Sequence, residues 1–149
     1  MRRVATQMSV VLIGQQAFAG RWAMGRVITD QRGGPDGSFA GTAVLEPRGP
    51  TCLIYLEEGQ LQLGDLAPMA ASRRYIWQFA LGAVAVSFAD GRPFHSFRLG
   101  ESGAGSDHQC GEDLYRVAYD FEDWPAWSVR WQVTGPRKDY TMLTRYARC

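Results

Sequence analysis

Four side chains with ionic or acid–base chemistry, Arg26, Glu57, Arg73 and His95, share one face of the alternating runs with most of the aromatic rings. Charges turned inward in this way cannot stay bare, because taking an unpaired charge out of water costs several kcal/mol. Two arrangements satisfy them. One is an internal Arg–Glu–Arg network that fixes strand register. The other is a polar floor beneath an aromatic pocket, where one or two guanidiniums fork onto a ligand's carboxylate or phosphate. A single β-bulge would shift the register and move the set to the wrong face.

An unperturbed histidine suits proton transfer near neutral pH, so His95 or Glu57 as acid or base defines a small enzyme as one alternative. A second alternative is a haem-binding barrel with His95 or His108 as the axial ligand. His108 and Cys110 stand two apart on one strand face, which is half a metal site without a third or fourth ligand. The chain contains no G-x-S-x-G elbow, no H-E-x-x-H, no phosphate-binding glycine loop and no dinucleotide fingerprint. No catalytic or metal-ligating residue is therefore assigned, and the cofactor is unknown.

The elements that position these residues are short runs of period two, separated by Gly, Pro and Asp clusters. The pattern predicts strands at Gly20 to Asp30, Ser38 to Glu46, Cys52 to Leu63, Met69 to Phe79 and Val84 to Phe88. It predicts five more at Pro93 to Leu99, Ser106 to Cys110, Leu114 to Glu122, Trp127 to Thr134 and Asp139 to Arg148. The links Arg32-Gly-Gly-Pro-Asp-Gly37, Pro47-Arg-Gly-Pro50 and Ala89-Asp-Gly-Arg92 carry turn residues. Short links favour an antiparallel meander, and a meander of about ten strands removes its exposed edges by closing into a barrel. Gly100 to Gly105 reads as a mobile loop. Gly135-Pro-Arg-Lys-Asp139 places two cations at a barrel end, where they guard the mouth or are simply solvated.

An apolar fraction of 46% against 21% charged residues is that of a chain that folds, and a net charge of +1 supplies no field for nucleic acid or an anionic membrane. The three cysteines, Cys52, Cys110 and Cys149, are odd in number and lack C-x-x-C spacing, which points to reduced thiols and a cytoplasmic protein. Arg2 and Arg3 precede an apolar run and Ala17-Phe18-Ala19 has signal-peptidase spacing, but Gln15-Gln16 interrupt it. The segment instead reads as a short helix capping the barrel. No stretch has the ~20 apolar residues of a membrane-spanning helix.

Gly20-Arg21-Trp22 at the head of the first long strand resembles the G-x-W signature of the calycins, the lipocalin and fatty-acid-binding-protein barrels. The resemblance implies a tryptophan plugging one barrel end, stacked on a late arginine, here Arg145 or Arg148. Asp139-Tyr140 is faintly similar to the lipocalin T-D-Y element, although Lys138 stands in place of the threonine. More of the chain resembles a bacterial family of unknown function that is itself calycin-like. That resemblance is carried by Trp22-x-x-x-Arg26-x-Ile28-x-Asp30, Tyr55-x-Glu57-Glu58-Gly59, Asp90-Gly-Arg-Pro-Phe-His95, Cys110-Gly-x-Asp113-x-Tyr115 and Trp131-x-Val-x-Gly135-Pro-Arg-Lys-Asp-Tyr140. It implies a fold and no activity.

The expectation is thus an all-β protein, a single domain over 1–149, with a capping segment 1–19 and a calycin-like barrel over 20–149. Its pocket takes a small amphipathic or acidic molecule. The candidate ligand-binding residues are Trp22, Arg26, Tyr55, Glu57, Arg73, Tyr75, Trp77, His95, Tyr119, Trp131, Tyr140 and Tyr146. Neither nucleic acid nor membrane is an expected partner, and oligomeric state is open.

Overall fold

The structure is a computed structural model, and it describes residues 13–149. A one-turn helix α1 (Gln15–Phe18) leads into β1 (Gly20–Asp30), β2 (Gly37–Pro47), β3 (Cys52–Leu63), β4 (Met69–Ala80), β5 (Ala83–Phe88) and β6 (Pro93–Arg98). The chain continues through β7 (Gly103–Ala104), β8 (His108–Cys110), β9 (Asp113–Asp120), β10 (Trp127–Thr134) and β11 (Asp139–Arg148). All pairings are antiparallel, and the order is β6-β5-β4-β3-β2-β1-β11-β10-β9-β7, with β8 also on β9. The first and last long strands, β1 and β11, meet side by side, from Trp22 opposite Arg148 to Asp30 opposite Tyr140. The meander therefore curls into an almost closed barrel. The inward face is the aromatic one that the alternation predicts. The first twelve residues of the expected capping segment lie outside the described residues.

One end is plugged. Phe18 and Trp22 are both 0% exposed. Phe18 meets Trp77, Phe121, Trp124 and Trp127 edge-on, with ring centroids 5.0–5.9 Å apart. The Trp22 indole donates to the Phe18 carbonyl at 2.9 Å, which satisfies its buried N–H within the plug. Arg148 lies 3.8 Å over the Trp22 ring and donates to the carbonyls of Ala19 and Ala17. It is Arg148, not Arg145, that fills the expected role. Gly20 has φ +114°, and a Cβ there would also sit 2.9 Å from the Arg148 guanidinium. The G-x-W spacing thus reflects one backbone bend that only glycine takes freely.

The closing seam lies between β6 and β9, which share no ladder. The segment after β7 fills it: Gly105 N–H donates to Val117 O, and Ser106 N–H to Ser96 O, both at 2.9 Å. Ser96 N–H donates to the Ser106 hydroxyl at 2.8 Å. Behind the seam Phe97 and Tyr119 stack at 3.9 Å. Within the expected loop over Gly100 to Gly105 the two residues of β7 pair with β9, Gly103 opposite Tyr119 and Ala104 opposite Ala118. A Cβ on Gly105 would sit 2.5 Å from Ser96 O and 2.7 Å from Val117. The glycine permits close approach of two backbones rather than looseness.

The two inward glycines Gly41 and Gly59 face each other across β2 and β3. A Cβ on Gly59 would collide with the Ala40 carbonyl and lie 2.8 Å from the Phe39 ring, whereas Gly25 on the outer wall has nothing within 4 Å of that position. Gly59→Ala is accordingly expected to lose about 2 kcal/mol or more by strain and overpacking, and Gly25→Ala less than about 1 kcal/mol either way. Urea unfolding midpoints of the two variants check this; equal midpoints would contradict it.

Candidate functional site

The chain turns at the end opposite the plug leave the barrel open. There a cavity of about 660 Å³ runs down from Asp30, Arg32, Pro35 and the Arg137–Asp139 turn to Trp77 and Trp127. Eleven of the twelve candidate residues line it: Arg26, Tyr55, Glu57, Arg73, Tyr75, Trp77, His95, Tyr119, Trp131, Tyr140 and Tyr146. Trp22 does not. It belongs to the plug at the far end, because its position two residues into β1 sets it a full layer below the cavity.

Deep in the cavity Arg26 and Glu57 form a two-pronged fork, with Nη1 to Oε2 at 2.8 Å and Nη2 to Oε1 at 3.0 Å. The Arg26 Nε–H donates to the Thr144 hydroxyl at 2.8 Å. Tyr55 donates to Glu57 Oε1 at 2.7 Å, and since its single hydroxyl hydrogen is used there, Tyr146 donates to Tyr55, also at 2.7 Å. Glu57 is 2% exposed. Burial pushes its carboxyl up, but the Arg26 fork and the Tyr55 hydroxyl outweigh burial and hold it below the ordinary carboxylate range. Burial raises both phenols, Tyr55 and Tyr146, above their ordinary range. The floor is therefore an ionised, mutually satisfied set resting on rings, with Tyr146 stacked on Trp127 at 3.8 Å and Tyr55 on Trp77 at 5.8 Å.

Arg73 stands apart from this network. It sits opposite Glu57 in the β3–β4 register, yet its one side-chain hydrogen bond among the described residues is a long 3.4 Å contact to the Tyr75 hydroxyl. That hydroxyl is the leading cause of its raised pKa, with Glu57 adding and Arg26 opposing. The expected Arg–Glu–Arg network is thus a pair, Arg26 with Glu57, plus a separate guanidinium nearer the mouth. At the rim Lys138 pairs with Asp113 at 3.1 Å, so that one of the two turn cations holds the Gly135–Asp139 turn to β9.

His95 is 8% exposed, with Nε2 2.8 Å from the Tyr119 hydroxyl and Nδ1 without a hydrogen-bond partner among the described residues. Burial, with a smaller contribution from His108, lowers its pKa to about 3, so the ring is neutral at physiological pH. Tyr119 is buried and raised. His108 packs edge-on against Phe94 at 5.1 Å and Cys110 is exposed. Among the described residues no three His, Cys, Asp or Glu side chains gather as a metal site.

Sequence reasoning missed Phe94. The β5–β6 register slips between Val86 and Ser87, so Val86 faces His95 while Ser87 faces Pro93. Phe94 is the extra residue of this bulge and turns into the cavity beside His95. There it stacks on Trp131 at 5.0 Å and 4°, on Phe88 at 4.5 Å, and on Tyr75 at 5.7 Å. Alternation alone puts Phe94 outside, and no residue type marks the bulge.

The fold and the site together define an almost closed antiparallel β-barrel with a cavity at its open end. The chain belongs to the DUF6314 family, a family of unknown function, over residues 18–148. Among solved structures it is similar to a DUF3598-family protein of unknown function from Nostoc punctiforme, at TM-score 0.65 and 11% identity over 92% of this chain. This chain spans 50% of that protein's length. It is also similar to Rv2717c from M. tuberculosis, at TM-score 0.51 and 10% identity, over 89% of this chain and 94% of that one. A more distant likeness, TM-score 0.44 at 14% identity over 89% and 96% of the two chains, is to a redesigned β-barrel, mFAP1, bound to DFHBI. At these identities the likeness is one of fold. No curated protein matches the chain.

Two pH windows follow. His95 has a folded pKa of about 3, below its ordinary value, so the stability it contributes is complete above about pH 6.5 and falls as acid protonates the unfolded chain. Glu57 is also depressed, and its contribution falls only below the ordinary carboxylate pKa of 4.5. Unfolding free energies of His95→Leu are expected to decline less between pH 7 and 5 than those of the wild type. Glu57→Gln should cost about 3 kcal/mol at pH 7, by leaving Arg26 buried and unpaired, with the deficit narrowing below pH 4. Denaturant titrations across pH check both; parallel curves for all three proteins would contradict them.

Proposed function

We propose that the protein binds a small, amphipathic or acidic organic molecule in the open-ended cavity and does not act on it chemically. The observation that carries the reading is the cavity itself: about 660 Å³, with a sealed polar floor and a wall of aromatic and aliphatic side chains. That volume falls within the range of about 300–1,000 Å³ usual for small-molecule sites. A barrel of this circumference can fill itself with side chains, and this one instead carries a small residue, Ala71, on the wall.

Binding is favoured over catalysis by the state of the two acid–base candidates. Glu57 already accepts three hydrogen bonds and is held ionised below the ordinary carboxylate range by the Arg26 fork, which makes it a weak base toward a substrate proton. His95 is neutral and tied to Tyr119 at Nε2, so either general-acid work or ligation of a haem iron through that nitrogen would first break a buried bond. The free thiols of Cys52, Cys110 and Cys149 favour a reducing, cytoplasmic setting. No helix among the described residues is long and apolar enough to cross a membrane.

The test uses N-phenyl-1-naphthylamine, a neutral dye that brightens in apolar surroundings. Saturable one-to-one binding to the wild-type protein, weakened at least about tenfold in Ala71→Trp, is the expected result, since the indole would occupy the wall. Circular dichroism confirms that the variant is folded. No binding, or equal binding to both proteins, would contradict the reading.

A further inference from the structure

We infer that the ligand is an aromatic organic anion that enters rings first and leaves its acid group at the mouth on Arg73; this deepens the proposed cavity function and rests on it. The floor is a poor seat for an anion. All the Arg26 nitrogens donate to Glu57 or Thr144, and Glu57 is a carboxylate that would repel a second one. Among the described residues Arg73 is the strand-held cation of the wall with no carboxylate partner within 4 Å, and its long contact to Tyr75 is easily exchanged for a charge-assisted fork. Arg32 and Arg137 also line the mouth, but both sit on turns. With the Arg26–Glu57 and Lys138–Asp113 pairs set aside, Arg32, Arg73 and Arg137 line the cavity against Asp30 and Asp139, an excess of positive charge that favours entry of an anion.

The surface next to Arg73 sets the shape of the rest. Tyr75, two residues along β4, leads to Phe94, which stacks on Phe88 and Trp131 with interplanar angles of 22° and 4°, and Tyr75, Phe94 and Trp131 all present ring surface to the cavity. Such flat, nearly parallel faces accept another flat ring by offset stacking, a contact that an alkyl chain does not reproduce. An acid group on the Arg73 guanidinium therefore hangs its rings along Tyr75 and the Phe94 stack, above the Tyr55–Glu57 floor.

The experiment compares 8-anilinonaphthalene-1-sulfonate with N-phenyl-1-naphthylamine, which share their rings and differ by the sulfonate. Because Arg73 is exposed at the mouth, the sulfonate dye should bind roughly three- to tenfold tighter at low salt, the gap closing as salt is added. Arg73→Gln should bring the sulfonate dye down to the neutral one while weakening the neutral dye far less than the sulfonate dye, and Arg73→Lys should restore part of the gap. Naphthalene-2-sulfonate should displace the bound dye at lower concentration than decanoate does. Equal binding of the two dyes overturns the anion assignment, and a gap that survives Arg73→Gln or vanishes instead in Arg137→Gln overturns the placing of the acid group on Arg73, with cavity binding intact in each case. Decanoate as the better competitor overturns the aromatic assignment. If neither dye binds, it is the proposed function that fails.

Discussion

The fork between Arg26 and Glu57 is the constraint around which the rest of the barrel is arranged. Two opposite charges deep among aromatic rings persist only if every polar atom is answered, and here Thr144, Tyr55 and Tyr146 answer them. These groups come from β1, β3 and β11, strands far apart in sequence, so the network fixes their relative register as well as their charges. A register slip of one residue on any of them would turn a charged or hydroxyl group into the outer wall. The same satisfaction makes the floor chemically quiet. What reaches the cavity meets rings and, nearer the mouth, Arg73.

Closure relies on different physics at the plugged end of the barrel and at the seam where the two ends of the meander meet. At the plugged end it is area: Phe18, Trp22, Trp77, Phe121, Trp124 and Trp127 bury one another, and Arg148 roofs the Trp22 face while capping the carbonyls beneath α1. At the seam it is backbone proximity, a few hydrogen bonds through Gly105 and Ser106 in place of a ladder. The seam is therefore the part of the wall with the fewest backbone bonds, and its integrity leans on the Phe97–Tyr119 stack and the His95–Tyr119 bond just inside.

Period-two alternation made the strands and their inward face legible, since one face of each run carried the rings. The G-x-W spacing announced the plug, and the family resemblance extended to most of the barrel. Three features were not legible, for separate reasons. The bulge at Phe94 arises from a tertiary register slip that leaves no mark on composition. The Gly100 to Gly105 stretch reads as loose because glycine is frequent in loops, whereas Gly105 is there to let two backbones touch. Whether an inward arginine is free or paired depends on distances: Arg26 and Arg73 look equivalent in the sequence, and only the geometry shows one forked onto Glu57 and the other unbound by any carboxylate. Trp22 joined the candidate ligand residues because alternation gives direction around the barrel but not height along it.

The most direct test is ¹H–¹⁵N NMR of the arginine Nε–Hε groups during titration with naphthalene-2-sulfonate. A fixed floor under an occupied cavity predicts that the Arg73 resonance shifts and saturates with the ligand while that of Arg26, held on Thr144 and Glu57, moves little. Movement of Arg26 with Arg73 unaffected would contradict the account, because the ligand would then be breaking the fork rather than resting above it.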